Sequence, residues 1–370
     1  FLCLLQEPTR FESQVKKWLY EWRPDSCWEP KTFQASSLLV SFSWVAWSLI
    51  SSRRVDRLRS CVRHNLCKIV TSMEGDIGEQ IRVAVRVRPF NAREVARQCK
   101  CCVKMEGHQT ILHIDECSRS PEDGMRIFNF DNCYWSHDRS HPNYASQEVV
   151  FNDLGQLALR SAFVGYNVCL FAYGQTGSGK SFSMVGSEDD RGIVPRVAIK
   201  LFQTMEAQKQ ENIAFEVVTS MVEIYSEKIR DLLNPRSGSK TELKVREHPR
   251  KGPYIAGLTA MPAMNYKEIQ RHLELGNRCR SIASTHMNDV SSRAHTIFSI
   301  NFSQTSLEKL ESGLTRETKK VSLINMVDLA GSERQSSKQL STMEYARFKE
   351  GVAINKSLSA LANCIFALYK

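Results

Sequence analysis

No stretch of this chain reads plainly as a membrane span. A spanning helix needs about 20 apolar residues, and the run Leu38 to Ile50 has 13, three of them serine. Signal peptides carry positive charge ahead of their apolar region, whereas Arg53 and Arg54 come after this one. A membrane anchor therefore rests on one short run. Order among the 12 cysteines is also lacking: they are scattered, and the single C-x-x-C, Cys99 to Cys102, has no second pair at zinc-site spacing. They read as free thiols of a reducing compartment. Internal repeats and low-complexity tracts are missing too, which argues against solenoids and long disordered linkers. What is present, 42% hydrophobic and 24% charged residues over 370 positions, describes a soluble globular protein with one large core or two smaller ones.

Acidic residues are the scarcer charge, 40 against 50 basic, for a net charge of +10. Most of the excess lies beyond residue 80, where 39 basic side chains face 31 acidic ones. A positive excess there favours an acidic partner: nucleic acid, an anionic membrane or an acidic protein surface. Residues 1–72 differ in character from the rest. Five tryptophans, Trp18, Trp22, Trp28, Trp44 and Trp47, crowd into them. The expectation is a non-motif extension with no part in the fold, read from outside the natural frame, with Met73 as the natural start.

From Ile81 onward strand and helix signals alternate. Ile81 to Val87 alternates with period two and ends before Pro89, as a strand does. Ser146 to Ala162 reads as a helix: a Ser N-cap, Glu148 in the first turn, Val149, Val150, Leu154, Leu157 and Ala158 on one face, Gly165 beyond. Phe215 to Tyr225 and Val321 to Val327 read as strands, and Tyr266 to Asn277 as a helix. Mixed order of this kind predicts a three-layer α/β fold.

The sharpest local signal is FAYGQTGSGKS, Phe171 to Ser181. From Gly174 it fits G-x-x-x-x-G-K-[ST], with a buried-strand pattern, Val168 to Ala172, directly ahead. In such a loop, Gly174, Gln175, Thr176, Gly177, Ser178 and Gly179 turn backbone N–H groups toward phosphates. Lys180 reaches the outer phosphates and the Ser181 hydroxyl can ligate Mg²⁺. The strand Val321 to Val327 runs into Asp328, the acid a magnesium shell needs, followed by Leu329-Ala330-Gly331-Ser332-Glu333. Asn288 to His295, NDVSSRAH, is a second polar loop with one arginine.

RVRP (Arg86 to Pro89), GQTGSGKS, NDVSSRAH and DLAGSE, in this order, resemble the kinesin motor domain over residues 81–370. YWSHD (Tyr134 to Asp138), REHP (Arg246 to Pro249) and GPY (Gly252 to Tyr254) resemble the kinesin-3 branch. The resemblance implies a P-loop NTPase: a central, mostly parallel mixed sheet flanked by helices, spanning 73–370. It also implies an ATP-dependent microtubule motor of the cytoplasm and cytoskeleton, stimulated by its track. By the same resemblance Lys180 holds the β/γ-phosphates, Ser181 and Ser292 ligate Mg²⁺, and Asp328 acts on it through water. Gly331 offers its N–H to the γ-phosphate. Arg293 and Glu333 pair to close two switch loops around the attacking water, with Ser291 beside it. Adenine lies between Pro89 and Phe182, flanked by Arg86 and Arg88. Arg250, Lys251, Arg347, Lys349 and Lys356 face the microtubule. Guanine-specific N/T-K-x-D is absent, since Asn355-Lys356-Ser357-Leu358 lacks the Asp, so ATP is the expected nucleotide. None of the other motifs resembles those of DNA motors or helicases, so nucleic acid is not an expected partner.

The sequence departs from the family at three places. Ala294 replaces a serine of the first switch. Gln335 to Ala346, QSSKQLSTMEYA, is longer than usual and without the family's glycines. Lys370 falls inside the helix that Asn355 to Leu361 begins, after which the family continues with more track-binding sequence, a last central strand, a closing helix and a neck linker. None of these falls within the 370 residues, nor does a coiled coil for dimerisation or a cargo region. The Trp-rich residues 1–72 show no sign of a substitute strand, so the chain as given is not expected to work as a motor. A non-motile nucleotide- or microtubule-binding fragment is the competing reading, and an adaptor tethered by Leu38 to Ile50 a third.

Overall fold

The computed structural model describes residues 2–7, 80–113, 125–234, 243–249, 252–286, 292–309, 315–333 and 342–369. Its centre is one large sheet. The strands are β1 (Leu2–Glu7), β2 (Gln80–Val87), β6 (Asn132–Trp135), β7 (Asn167–Ala172), β8 (Ile213–Tyr225), β9 (Lys228–Asp231), β12 (Met261–Pro262), β13 (His295–Lys309) and β14 (Thr315–Asp328). Between these run the minor strands β3 (Val103–Glu106), β4 (Gln109–His113) and β5 (Met125–Asn129), which form a three-stranded sheet, and the hairpin β10 (Lys244–His248) with β11 (Gly252–Ala256). Across the large sheet the order is β12-β8-β13-β14-β7-β1-β2-β6, with β9 on β8.

Helices cover both faces: α1 (Ala92–Ala96), α2 (Gln147–Val150), α3 (Gln156–Val164), α4 (Lys180–Met184), α5 (Ile193–Ala207), α6 (Tyr266–His286) and α7 (Thr342–Tyr369). The period of two in β7 sorts its residues between two cores. Val168, Leu170 and Ala172 join the cluster that holds Leu159 of α3, Leu201 of α5 and Ile269 of α6. Phe171 joins the cluster with Ile354 and Leu358 of α7, and Cys169 packs against it. The three expected layers are therefore present. The sheet is mixed but less parallel than expected: β7 with β14 and β2 with β6 are parallel, and its other pairings are antiparallel.

Two further expectations shift in detail. Ser146 caps its helix as read, its Oγ accepting from Val149 N–H at 3.3 Å, but a π-turn, Phe151–Gly155, interrupts the run between α2 and α3. There the Phe151 ring lies where a Cβ on Gly155 would sit, 2.3 Å from Cδ2. Strand β1 is the larger correction. Leu2–Glu7 lies in the sheet between β2 and β7, antiparallel to both, so residues 1–72 do supply a central strand. Leu38 to Ile50 and the tryptophans around it lie outside the described residues, among which no helix is long and apolar enough to cross a membrane.

Candidate nucleotide site

Strand β7 ends at Ala172 and delivers the loop that leads into α4. Gly177 and Gly179 take φ of 76° and 93°, a left-handed conformation that only glycine adopts cheaply, and so turn the loop back on itself. The Lys180 ammonium sits inside this turn, donating to the carbonyls of Gly174 (2.8 Å) and Gln175 (2.9 Å). Burial lowers its pKa, against the pull of Asp328 and Glu333.

Asp328 arrives on the parallel neighbour β14, level with Ala172. Its Oδ2 accepts from Ser181 Oγ at 2.5 Å, while its buried Oδ1 has no hydrogen-bond partner. Arg280 of α6 approaches Oδ2 at 3.6 Å. A cleft of about 490 Å³ opens here, lined by Thr176, Lys180, Ser181, Ser292 and Asp328 among others. Hydroxyl and carboxylate oxygens are the hard donors that Mg²⁺ takes, and an orphaned carboxylate oxygen beside a serine hydroxyl suits a hydrated ion. The residues present fit that ion.

The loop that follows β14 fastens onto the phosphate loop and onto Ser292. Gly331 N–H donates to Ser292 O (2.9 Å) and Ser332 N–H to Gly174 O (3.2 Å). A Cβ at Gly331 would lie 2.3 Å from both Thr176 Oγ1 and Glu333 Oε2, so a side chain there would push this pair aside. The Glu333 carboxylate accepts from Thr176 N–H (2.9 Å) and Thr176 Oγ1 (2.6 Å). Burial raises its pKa, but the Thr176 bonds outweigh this and hold it below the usual range. In this arrangement Glu333 engages Thr176, and the Gly331 N–H points at Ser292.

A larger cavity of about 680 Å³ adjoins the loop and brings together Arg86, Arg88, Pro89, Lys180 and Phe182. Arg86 is not a free flank for a base. Its Nε donates to Ser136 Oγ (2.9 Å), its Nη1 to Gln147 Oε1 (2.6 Å) and Ser183 Oγ (3.1 Å), and Phe182 lies 5.5 Å from its guanidinium. Burial lowers its pKa. Arg88 is tied as firmly, with Nε on Gly177 O at 2.7 Å and a bidentate grip on Glu94 at 2.7 Å per bond. These bonds pull Glu94 down to about 2. Pro89 and the 42% exposed Phe182 stay available as the two apolar walls.

Sequence reasoning missed Glu94, Thr176 as the partner of Glu333, Arg280 and His295. Glu94 had a readable signal, since Asn91-x-x-Glu94 spells the capping box that α1 forms. His295, 7% exposed, ends the NDVSSRAH segment and begins β13. Its Nδ1 accepts from Ala330 N–H (3.0 Å), which leaves Nε2 to donate to Ser357 Oγ (2.7 Å) on α7. Burial brings its pKa down to about 4, so it is neutral. Of the other expected residues, Ser291, Arg250 and Lys251 lie outside the described set, as does most of Gln335 to Ala346. Arg347 and Lys349 fall on α7, and Lys356 is exposed on the same helix.

A strand, phosphate loop and helix with an acid at the tip of the adjacent parallel strand define a P-loop NTPase. Within that class a kinesin motor domain family model matches residues 86–370. Kinesin-like protein KIF13A of Mus musculus is 47% identical over 78% of this chain, and kinesin-like protein KIF1A of Rattus norvegicus 45% over 79%. The chain spans only 16% and 17% of those relatives. Among solved structures, KIF14 with ADP in complex with a microtubule superposes with a TM-score of 0.68 at 42% identity, covering 78% of each chain. A fast kinesin gives 0.61 at 30% identity, covering 72% of this chain and 70% of its own. The chain belongs to the kinesin motor domain family.

Proposed function

We propose that this chain binds and hydrolyses ATP with Mg²⁺ and couples hydrolysis to movement on microtubules. Supporting it most directly is the junction of Ser181, Asp328 and Lys180, with an unpartnered carboxylate oxygen at the foot of a phosphate loop. Family membership and a relative solved on a microtubule support the track.

Each residue has a task in this reading. Pro89 and Phe182 hold the base between them, while Arg86 and Arg88 brace the wall that carries Pro89. The amides of residues 174–179 take the phosphates, and Lys180 leaves its two carbonyl partners to neutralise the outer ones. Ser181 and Ser292 would hold the ion, and Asp328 would act on it through water. Mg²⁺, when bound, neutralises charge that develops on the phosphate oxygens. Closing the switches then requires Glu333 to exchange Thr176 for Arg293, which frees the Thr176 N–H for the nucleotide and lines up the attacking water with Ser291. Because the latch includes Gly331 on Ser292, one movement reports the γ-phosphate to both loops. Lys356 and its neighbours Arg347 and Lys349 on α7, with Arg250 and Lys251, carry the positive charge toward an acidic track.

Replacing Lys180 with alanine tests the site. Loss of one such electrostatic group costs about 10² to 10³ in turnover, and hydrolysis within tenfold of the parent would show that the loop is not the active centre.

A further inference from the structure

Strand β1 occupies the middle of the sheet, and its neighbours β2 and β7 do not pair with each other. Leu2 stands level with Ala84 of β2 and Ala172 of β7, Leu5 with Ile81 and Cys169. Adjacent strands lie about 4.8 Å apart, so β1 holds β2 and β7 roughly twice that distance from each other. The two strands it separates carry opposite walls of the nucleotide site. Beyond β2 come Arg88 and Pro89; beyond β7 comes the phosphate loop.

Bonds across the site require that separation. Arg88 Nε reaches Gly177 O at 2.7 Å, and Arg86 Nη1 reaches Ser183 Oγ at 3.1 Å. Without β1, and with no other strand in its place, the space has two outcomes. Left open, it strands two rows of backbone N–H and C=O groups inside the sheet. Closed by direct pairing of β2 with β7, it moves one wall by about one strand spacing and breaks both bonds. Residues 8–79 join β1 to β2, and closing so long a connection costs little more than closing a short one. The register also suits the sequence, for Leu2, Cys3, Leu4 and Leu5 fall level with Ala172, Phe171, Leu170 and Cys169.

We propose that the space between β2 and β7 is a strand-accepting site, that Leu2–Glu7 of the same chain is its occupant, and that insertion of this strand and binding of nucleotide depend on each other. The dependence rests on the nucleotide-site reading given above; the insertion does not. By thermodynamic linkage, whatever β1 adds to nucleotide affinity, nucleotide returns to insertion.

Leu5→Cys places a thiol level with the native Cys169. Paired residues in antiparallel strands have Cα atoms about 4.5 to 5.5 Å apart, within reach of a disulfide. Diamide takes up the two hydrogens as the two thiols join, and mass spectrometry of the 370-residue protein identifies the linked peptides. The expected result is a link from Leu5→Cys to Cys169 and none from Leu4→Cys, which alternates to the other face. Equal linking from both, or from neither, overturns the insertion.

With ADP present the Leu5→Cys link should form several-fold faster, and that gain should vanish when Lys180→Ala is added while the link itself persists. A rate indifferent to ADP, in protein shown to bind fluorescently labelled ADP, overturns the dependence. Protein that forms the link yet binds no ADP refutes the nucleotide-site reading and, with it, the dependence, leaving the insertion standing. Leu4→Pro should weaken labelled-ADP binding at least tenfold, with a synthetic Leu2–Glu7 peptide restoring it; wild-type affinity without peptide overturns the dependence as well. If Leu4→Pro does not fold, the linking rate alone decides.

Discussion

Glu333 shows at the scale of one residue how a switch can be held ready. Its carboxylate is spent on Thr176, and the hydrogen bonds there outweigh the cost of its burial. Glu333→Ala should leave nucleotide bound, since the phosphate loop and Lys180 are intact, yet reduce turnover by at least tenfold because switch closure loses its acid. Labelled-nucleotide titration beside phosphate release checks this, and an equal collapse of affinity would contradict it. His295 makes a second residue-scale statement. Its folded pKa of about 4 lies below the roughly 6.5 of an unfolded histidine. The unfolded chain therefore gains a proton first, and the stability this residue contributes is complete above about pH 6.5 and lost as pH falls toward 4. Thermal unfolding followed across that window should show a decline that His295→Gln flattens.

Elements carry constraints that no single residue reveals. The π-turn between α2 and α3 exists where the Phe151 ring covers Gly155, and a methyl there would meet the ring at 2.3 Å. Gly155→Ala should destabilise the fold by about 1–3 kcal/mol, the usual cost of overpacking, read as a shift in the urea midpoint at unchanged slope. An unshifted midpoint would mean that the ring moves aside freely. Helix α7 joins the second core through Ile354 and Leu358 and meets His295 through Ser357. It is thus the element through which a contact on its exposed face can reach Ala330 and the second switch.

For the whole molecule, what was legible in the sequence had local periodicity or fixed spacing behind it. The β7 pattern, the loop from Gly174 to Ser181 and the strand ending in Asp328 are readable because each is continuous in the chain. Partnerships between distant segments were not: Arg86 finds Gln147 and Ser183, 61 and 97 residues away, and its role as a brace follows only from that meeting. Leu2–Glu7 is the extreme case, since six mostly apolar residues carry no mark of the two strands they separate. The three-layer order was legible, whereas the balance of parallel and antiparallel pairing depends on such distant meetings. These parts support the proposal that nucleotide turnover at Lys180 and Asp328 rises when a track binds on the side of α7. Steady-state ATP hydrolysis by the 370-residue protein, measured with and without microtubules, tests it most directly. Turnover that rises at least tenfold on adding microtubules, and is abolished by Lys180→Ala, is the expected result; hydrolysis that is absent, or that microtubules leave unchanged, would contradict it.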